Sequence, residues 1–147
     1  LFAAATETGA VLGDAQFRDA MKNYALHFGA AFQIVDDVMD YTSSAEVMGK
    51  NVGDDLAEGK PTLPLIQAMK VAAPEDAEII RQAIKTGGLQ HLERIIRLVQ
   101  ETGALEYCHQ RAVKESDLAI AALSLLPPSI YKEALEGLAK LALNRVS

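Results

Sequence analysis

Hydrophobic residues recur along this chain with the spacing of amphipathic helices. Apolar side chains at i, i+3, i+4 and i+7 share one helical face, and this spacing fills most segments between the glycines and prolines, whereas no segment alternates as a strand does. Helices are predicted over residues 1–12, 15–41, 61–72, 75–85, 92–103 and 105–126, and from Ser129 onward. The pattern predicts an all-α chain of about seven helices, with residues 1–147 forming a single helical domain.

The helix predicted over residues 15–41 carries three aspartates in a stretch that is otherwise apolar. Its large apolar side chains follow the helical period along one face. Gln33, Asp36 and Asp40 fall within about 60° of one another on a different face, with Asp37 beside them. Neighbouring carboxylates repel one another, and partial burial raises the cost of keeping them ionised. This polar stripe therefore predicts a bound cation.

A segment without apolar periodicity, residues 42–60, follows this helix and is predicted to be a loop. Loops of this length in compact domains are usually functional or disordered, and the position directly after the aspartates favours a function. The segment carries Lys50 and Lys60. Two lysines that fold back toward a carboxylate cluster are suited to an anion bridged by a metal, such as a phosphate or diphosphate.

The DDxxD spacing of Asp36, Asp37 and Asp40 offers the hard oxygen ligands that Mg²⁺ prefers, commonly one or two carboxylates together with substrate phosphates. A diphosphate leaving group needs such charge neutralisation before it departs. The spacing also fits an ordinary solvated face, which the apolar remainder of the helix disfavours. An EF-hand starting at Asp36 is excluded, because Tyr41 would stand where Gly is required and Val47 where Glu is required.

Composition narrows the function classes further. Apolar residues make up 50% of the chain, and the net charge of −6 argues against a nucleic-acid surface. The single cysteine, Cys108, cannot form an internal disulfide, which favours a reduced, cytoplasmic compartment. No apolar run approaches the roughly 18 residues of a membrane span. His27, His91 and His109 have no His or Cys partner at a metal spacing, so they are expected to be surface or core residues.

Three motifs appear in a fixed order between Phe28 and Pro64. They are FQxxDDxxD from Phe32 to Asp40, GK at residues 49–50, and DDxxEGKPTLP from Asp54 to Pro64. This set resembles the trans-polyprenyl diphosphate synthases, and most closely the long-chain branch that includes the bacterial octaprenyl diphosphate synthases. The resemblance implies an isoprenoid-synthase-type helical bundle, of which this chain would form the C-terminal portion.

Members of that family join isopentenyl diphosphate to an allylic diphosphate head to tail with the help of Mg²⁺. The resemblance implies that Asp36 is a direct Mg²⁺ ligand, that Asp37 and Asp40 assist directly or through water, and that Lys50 and Lys60 lie near the allylic diphosphate. It implies a prenyltransferase of isoprenoid biosynthesis whose long-chain product serves as a precursor of quinone side chains such as that of ubiquinone. Relatives of this kind are usually homodimers.

The same resemblance gives roles to two neighbouring side chains. Gln33 would face the reacting carbons, where its amide oxygen would stabilise developing positive charge. Phe32 matches the family's aromatic residue near the isopentenyl site, although the helical wheel puts it on the apolar face.

The family's first aspartate-rich motif and its basic isopentenyl site are expected upstream of Leu1, where the chain begins without an initiator methionine. The full-length protein is therefore expected to be the enzyme and this chain alone to be inactive. Two alternatives are a non-catalytic subunit of a heteromeric prenyl synthase and a terpene cyclase or squalene-type synthase. The intact order of Gln33, the aspartates and the lysines disfavours the first, and the KPTLP run disfavours the second.

Overall fold

The computed structural model describes residues 1–42, 53–87 and 89–144, and all regular secondary structure in these ranges is helical. The all-α prediction is confirmed. A one-turn 3-10 helix precedes the second α-helix and another follows the seventh. The α-helices of the described ranges are α1 (Phe2–Leu12), α2 (Arg18–Thr42), α3 (Asp54–Ala57), α4 (Leu63–Val71), α5 (Pro74–Thr86), α6 (Leu92–Glu101), α7 (Ala104–Ala122) and α8 (Ile130–Leu143).

Each of the seven predicted helices has its counterpart, and the main difference is α3. This single turn lies in the segment predicted to be a loop, and it begins after Gly53, whose φ of 87° is left-handed. Four residues are too few to show a hydrophobic period, so the sequence pattern missed the turn. The part of that segment from residue 43 to residue 52, which includes Lys50, lies outside the described residues.

Prolines and a serine fix three of the helix starts. Pro74 opens α5, and the hydroxyl of Ser129 accepts a hydrogen bond from the Lys132 backbone N–H (3.2 Å), as expected of an N-cap. The predicted start of α4 at Pro61 is wrong by two residues. Thr62 is extended and α4 begins at Leu63, with Pro64 in the first turn, where a backbone without an N–H group costs no helical hydrogen bond.

The described residues group into two compact units. Unit 1 comprises Leu1–Val35 and Gln110–Ser147, and unit 2 comprises Asp36–His109. Helix α2 contributes its first part to unit 1 and its last two turns to unit 2. No helix in the described ranges has both the length and the apolar character needed to cross a bilayer.

Unit 1 is held together by small and aromatic residues of α2, α7 and α8. Tyr24 is buried and donates a hydrogen bond to the Leu135 carbonyl (2.9 Å), while the buried Ser116 hydroxyl donates to the Ala139 carbonyl (2.9 Å). These bonds satisfy polar groups that would otherwise be costly to bury. The buried centre of this unit consists of Tyr24, Ala25, Ala119, Leu123 and Ala139.

Unit 2 is built around large aliphatic side chains from α3 to α6. The largest of them, all fully buried, are Leu56, Leu65, Ile80, Ile95 and Val99. Arg94 of α6 also donates two hydrogen bonds to the Asp76 carboxylate of α5 through one nitrogen (2.9 and 2.7 Å). Tyr41, near the end of α2, is buried in this core. Its burial fixes the last turns of α2, where the aspartates lie.

A glycine contact between α3 and the end of α5 gives a test of this packing. Gly87 has a φ of 62°, and a Cβ there would lie 2.6 Å from the Ala57 carbonyl oxygen. Gly103 has a similar φ of 69° but open space around its Cβ position. Gly103→Ala should therefore cost about 1–2 kcal/mol for the left-handed backbone alone, and Gly87→Ala about 3 kcal/mol or more. Urea unfolding of both variants measures the difference, and equal losses would show that α3 does not pack against Gly87.

Candidate functional site

The three predicted metal ligands lie in the last two turns of α2 and differ in exposure. Asp37 is buried, with 8% of its surface exposed, whereas Asp36 and Asp40 are half-buried. Gln33, three residues before Asp36 on the same helix, is exposed. The helix therefore carries a polar stripe, as predicted, and that stripe becomes less exposed toward its C-terminal end.

Asp40 is held by the N-terminus of α3. Its backbone carbonyl accepts a hydrogen bond from the Gly53 N–H (3.3 Å), and hydrogen bonding from the backbone N–H groups of Asp54 and Asp55 lowers the pKa of its carboxyl. Gly53 has no side chain with which to cap α3, so the N–H groups at the start of this turn favour the nearby negative charge of Asp40. The last turn of α2 and the first residues of α3 are thereby joined.

The second carboxylate oxygen of Asp40, Oδ2, is buried and has no hydrogen-bond partner among the described residues. Burial raises the pKa of the Asp40 carboxyl, and the negative charges of Asp55 and Asp54 add to this effect, while the two backbone hydrogen bonds lower it. A buried carboxylate oxygen without a partner is costly. A cation at this oxygen would remove that cost.

The aspartate oxygens of α2 suit Mg²⁺ if the ion takes its remaining ligands from water and substrate. In the described ranges, no group of three or more His, Cys, Asp or Glu side chains is placed to hold a metal ion. Mg²⁺ is commonly bound through one or two carboxylates and takes its other ligands from water and substrate phosphates. The orphaned Asp40 oxygen on a helix with two further aspartates provides oxygen donors of this type.

Lys60 lies beside α3 and pairs with two of its carboxylates. The Lys60 ammonium is 2.9 Å from the Asp55 carboxylate and 2.6 Å from that of Glu58. Asp55 therefore joins two parts of the predicted site, because its side chain accepts a hydrogen bond from Lys60 while its backbone N–H favours the charged form of the Asp40 carboxyl. Lys50, the second predicted lysine, lies outside the described residues.

Two residues of this arrangement, Asp55 and Glu58, belong to the DDxxE motif but received no role from the sequence. Asp55 lies in the turn α3 and Glu58 is its C-cap, and both are close in sequence to Lys60. Their three-residue spacing, together with a lysine two residues later, was the available signal.

Phe32 contributes to an aromatic cluster in unit 1, in keeping with its predicted place on the apolar face. Its ring centroid is 5.6 Å from that of Phe2 and 6.3 Å from that of Phe28. The ring of Phe28 also stacks on Tyr24 at 5.7 Å. Phe32 is half-buried. Its ring packs against other aromatic residues of unit 1.

The remaining chemically distinctive residues are structural. Cys108 is buried, and burial raises the pKa of its thiol to about 12, with the negative charge of Asp37 adding to the rise. A thiol with such a pKa is unreactive at neutral pH. His27 contacts the Glu115 carboxylate through Nδ1 (2.7 Å), which joins α2 to α7 within unit 1.

Comparisons with known proteins agree with this fold. The Polyprenyl synthetase family model matches residues 1–101, and the chain belongs to that family. It is 52% identical to an all-trans-nonaprenyl-diphosphate synthase (geranyl-diphosphate specific) of Rhodobacter capsulatus and 45% identical to the octaprenyl diphosphate synthase of Escherichia coli. Both alignments cover 99% of this chain and 45% and 46% of the respective relatives. The chain thus spans about half the length of the curated relatives it matches.

Solved structures show the same likeness. A polyprenyl synthase from Caulobacter crescentus, complexed with calcium and isoprenyl diphosphate, superposes with a TM-score of 0.87 at 40% identity, covering 99% of this chain and 46% of that protein. A decaprenyl diphosphate synthase from Rhodobacter capsulatus gives 0.87 at 35% identity with the same coverage. The predicted isoprenoid-synthase-type helical fold is confirmed.

The raised pKa of Asp40 predicts a pH-dependent stability in the absence of divalent ions. The folded chain binds this proton more tightly than the unfolded chain, so the contribution of Asp40 is complete below the ordinary aspartate pKa of about 4 and is lost as pH rises through the raised pKa. Asp40→Asn should therefore gain stability relative to the wild type with increasing pH. Urea unfolding between about pH 3 and pH 7 measures this.

Asp117→Asn, at an exposed position of α7, is the matched control and should follow the wild type across the series. The explanation fails if Asp40→Asn also runs parallel to the wild type, or if its relative stability declines as pH rises.

Proposed function

We propose that the whole protein is a prenyltransferase that makes a long-chain all-trans polyprenyl diphosphate by Mg²⁺-dependent, head-to-tail condensation of isopentenyl diphosphate with an allylic diphosphate. The observation that carries this proposal is the buried, orphaned Oδ2 of Asp40 on the DDxxD helix, beside the turn that holds Lys60. Membership of the Polyprenyl synthetase family supports it. The Caulobacter relative, crystallised with calcium and isoprenyl diphosphate, supports the pairing of an oxygen-binding cation with a diphosphate.

In this proposal Asp36 is a direct ligand of Mg²⁺, and Asp37 and Asp40 hold the ion directly or through water. When bound, the ion supplies charge neutralisation for the departing diphosphate. The structural role of α3 is to favour the charged form of Asp40, since the N–H groups of Asp54 and Asp55 lower the pKa of its carboxyl while Oδ2 has no partner among the described residues.

Lys60 and Lys50 bind diphosphate oxygens in the proposed site. To do so, Lys60 exchanges its contacts with Asp55 and Glu58 for contacts with the anion. Its side chain is about half exposed, and solvent-exposed ion pairs are weak because water screens them. A diphosphate carries more negative charge than a single carboxylate and offers the ammonium several oxygen acceptors, so the proposed exchange is favourable.

Gln33 and Phe32 serve the organic part of the substrate. Gln33 is exposed on α2, one turn before Asp36. Its amide oxygen would stabilise the positive charge that develops on the allylic carbons. Phe32 would contribute its half-buried ring near the isopentenyl site.

Residues 1–147 alone are proposed to be inactive. The chain spans 45–46% of its relatives' length, and the first aspartate-rich motif and the basic isopentenyl site are assigned to the remainder. The whole protein is proposed to act as a homodimer in the cytoplasm and to supply quinone side chains. Octaprenyl diphosphate is the proposed product, although the similar proteins carry octaprenyl, nonaprenyl and decaprenyl names, which support the long-chain class more strongly than one length.

Incorporation of labelled isopentenyl diphosphate into prenyl products tests the activity. The full-length protein should turn over only with Mg²⁺, residues 1–147 alone should not turn over, and Asp36→Asn should lower the rate about 100-fold or more. Asp19→Asn, at the exposed start of α2, is the control and should be unaffected. Turnover by the chain alone would refute its inactivity, and none by the full-length protein would favour a non-catalytic subunit.

The ion pair of Lys60 predicts opposite effects from two substitutions on binding of Mg²⁺ and diphosphate. Lys60→Ala should weaken binding about tenfold by removing a charged contact, and Glu58→Gln should tighten it by up to about fivefold by releasing the lysine. Calorimetric titration of the full-length protein measures both.

Glu7→Gln is the matched control, because it releases Arg18 from a surface ion pair in unit 1 and should leave binding unchanged. Equal affinities for the wild type and Lys60→Ala would remove Lys60 from the proposed site.

A further inference from the structure

A groove along α4 and α5 of unit 2, outside the site described above, combines apolar and cationic side chains. We call it the α4–α5 groove. Its volume is about 450 Å³, within the usual range of about 300–1,000 Å³ for small-molecule sites. Four apolar residues line it, namely Pro61, Ile66, Met69 and Ile84. Three cationic residues, Lys70, Arg81 and Lys85, complete the lining.

Both helices contribute to the groove through residues spaced i, i+3 and i+4. In α4 these are Ile66, Met69 and Lys70, and in α5 they are Arg81, Ile84 and Lys85. Residues at this spacing share one helical face, so each helix places a basic end next to an aliphatic side chain. Ile66 contributes little to the core of unit 2, because 42% of its surface is exposed, whereas Leu65 beside it is fully buried.

The charged side chains that line the groove are all positive, although the net charge of the whole chain is −6. Arg81 is paired with Glu78 on its own helix. Lys70 and Lys85 form no ion pair with any residue in the described ranges. Two unpaired ammonium groups beside exposed aliphatic side chains are complementary to a ligand with an anionic head and an apolar chain.

We propose that the α4–α5 groove binds a single-chain amphiphile with a phosphate or diphosphate head. The chain lies against Ile66, Met69 and Ile84, and the head is held by Lys70 and Lys85. This inference does not depend on the proposed function, since it uses none of the aspartates and neither Lys50 nor Lys60.

The probe is n-dodecyl phosphate, added as a monomer to full-length protein with labelled isoleucine and methionine methyl groups. The methyl resonances of Ile66, Met69 and Ile84 should shift, while those of the fully buried Ile80 and Ile95 should not. Inorganic diphosphate, which has the head without the chain, and dodecyltrimethylammonium, which has the chain with the opposite charge, should both leave the groove resonances in place.

Charge reversal isolates the contribution of the lysines. The double variant Lys70→Glu/Lys85→Glu should bind dodecyl phosphate about tenfold more weakly or worse. Lys114→Glu/Lys140→Glu changes the net charge equally at exposed positions of unit 1 and should bind as the wild type does. The proposal is overturned if the cationic amphiphile shifts the same methyl groups, if both double variants weaken binding equally, or if only phosphatidylcholine and phosphatidylglycerol vesicles bind and the monomer does not.

Discussion

The contact between the end of α2 and the start of α3 is the interaction on which the acidic end of unit 2 depends, because the Gly53 N–H donates to the Asp40 carbonyl (3.3 Å) and the N–H groups of Asp54 and Asp55 favour the charged Asp40 carboxyl. The start of a helical turn leaves backbone N–H groups without intrahelical partners, and these groups favour a negative charge close to them. Gly53 offers no side chain for this purpose, so Asp40 supplies it from α2. A single carboxylate thus aligns the aspartate helix with the turn that carries Asp55 and Glu58.

The same contact brings several negative charges close together, which is unfavourable without a cation. The backbone N–H groups of Asp54 and Asp55 favour the charged form of the Asp40 carboxyl, whereas its Oδ2 is buried without a partner among the described residues, and the charges of Asp54 and Asp55 raise its pKa. Lys60 balances part of this charge through Asp55 and Glu58. In the proposed function, a divalent cation relieves the carboxylates and the anion recruits the lysine, so that metal and diphosphate bind together.

The features that could be predicted from the sequence are those set by residues close to one another along the chain. Long helices were predictable because a hydrophobic period repeats several times within each of them, and the ordered motifs from Phe32 to Pro64 were specific enough to indicate the family. The turn α3 is too short to carry a period. The partners of Lys60, Asp55 and Glu58, are local and lie within the motif itself. The orphaned oxygen of Asp40 depends on where α3 packs, which is a tertiary property that neither the helical wheel nor the motif contains.

In the proposed function, the aspartates of α2 hold a divalent cation together with a diphosphate. The most direct measurement is paramagnetic broadening of backbone amide resonances by Mn²⁺, used in place of Mg²⁺, with and without inorganic diphosphate. Broadening should centre on residues 36–40 and 54–55 and should strengthen markedly when diphosphate is added. Broadening centred elsewhere, or none near Asp36 and Asp40 with both ligands present, would show that these aspartates do not hold the ion.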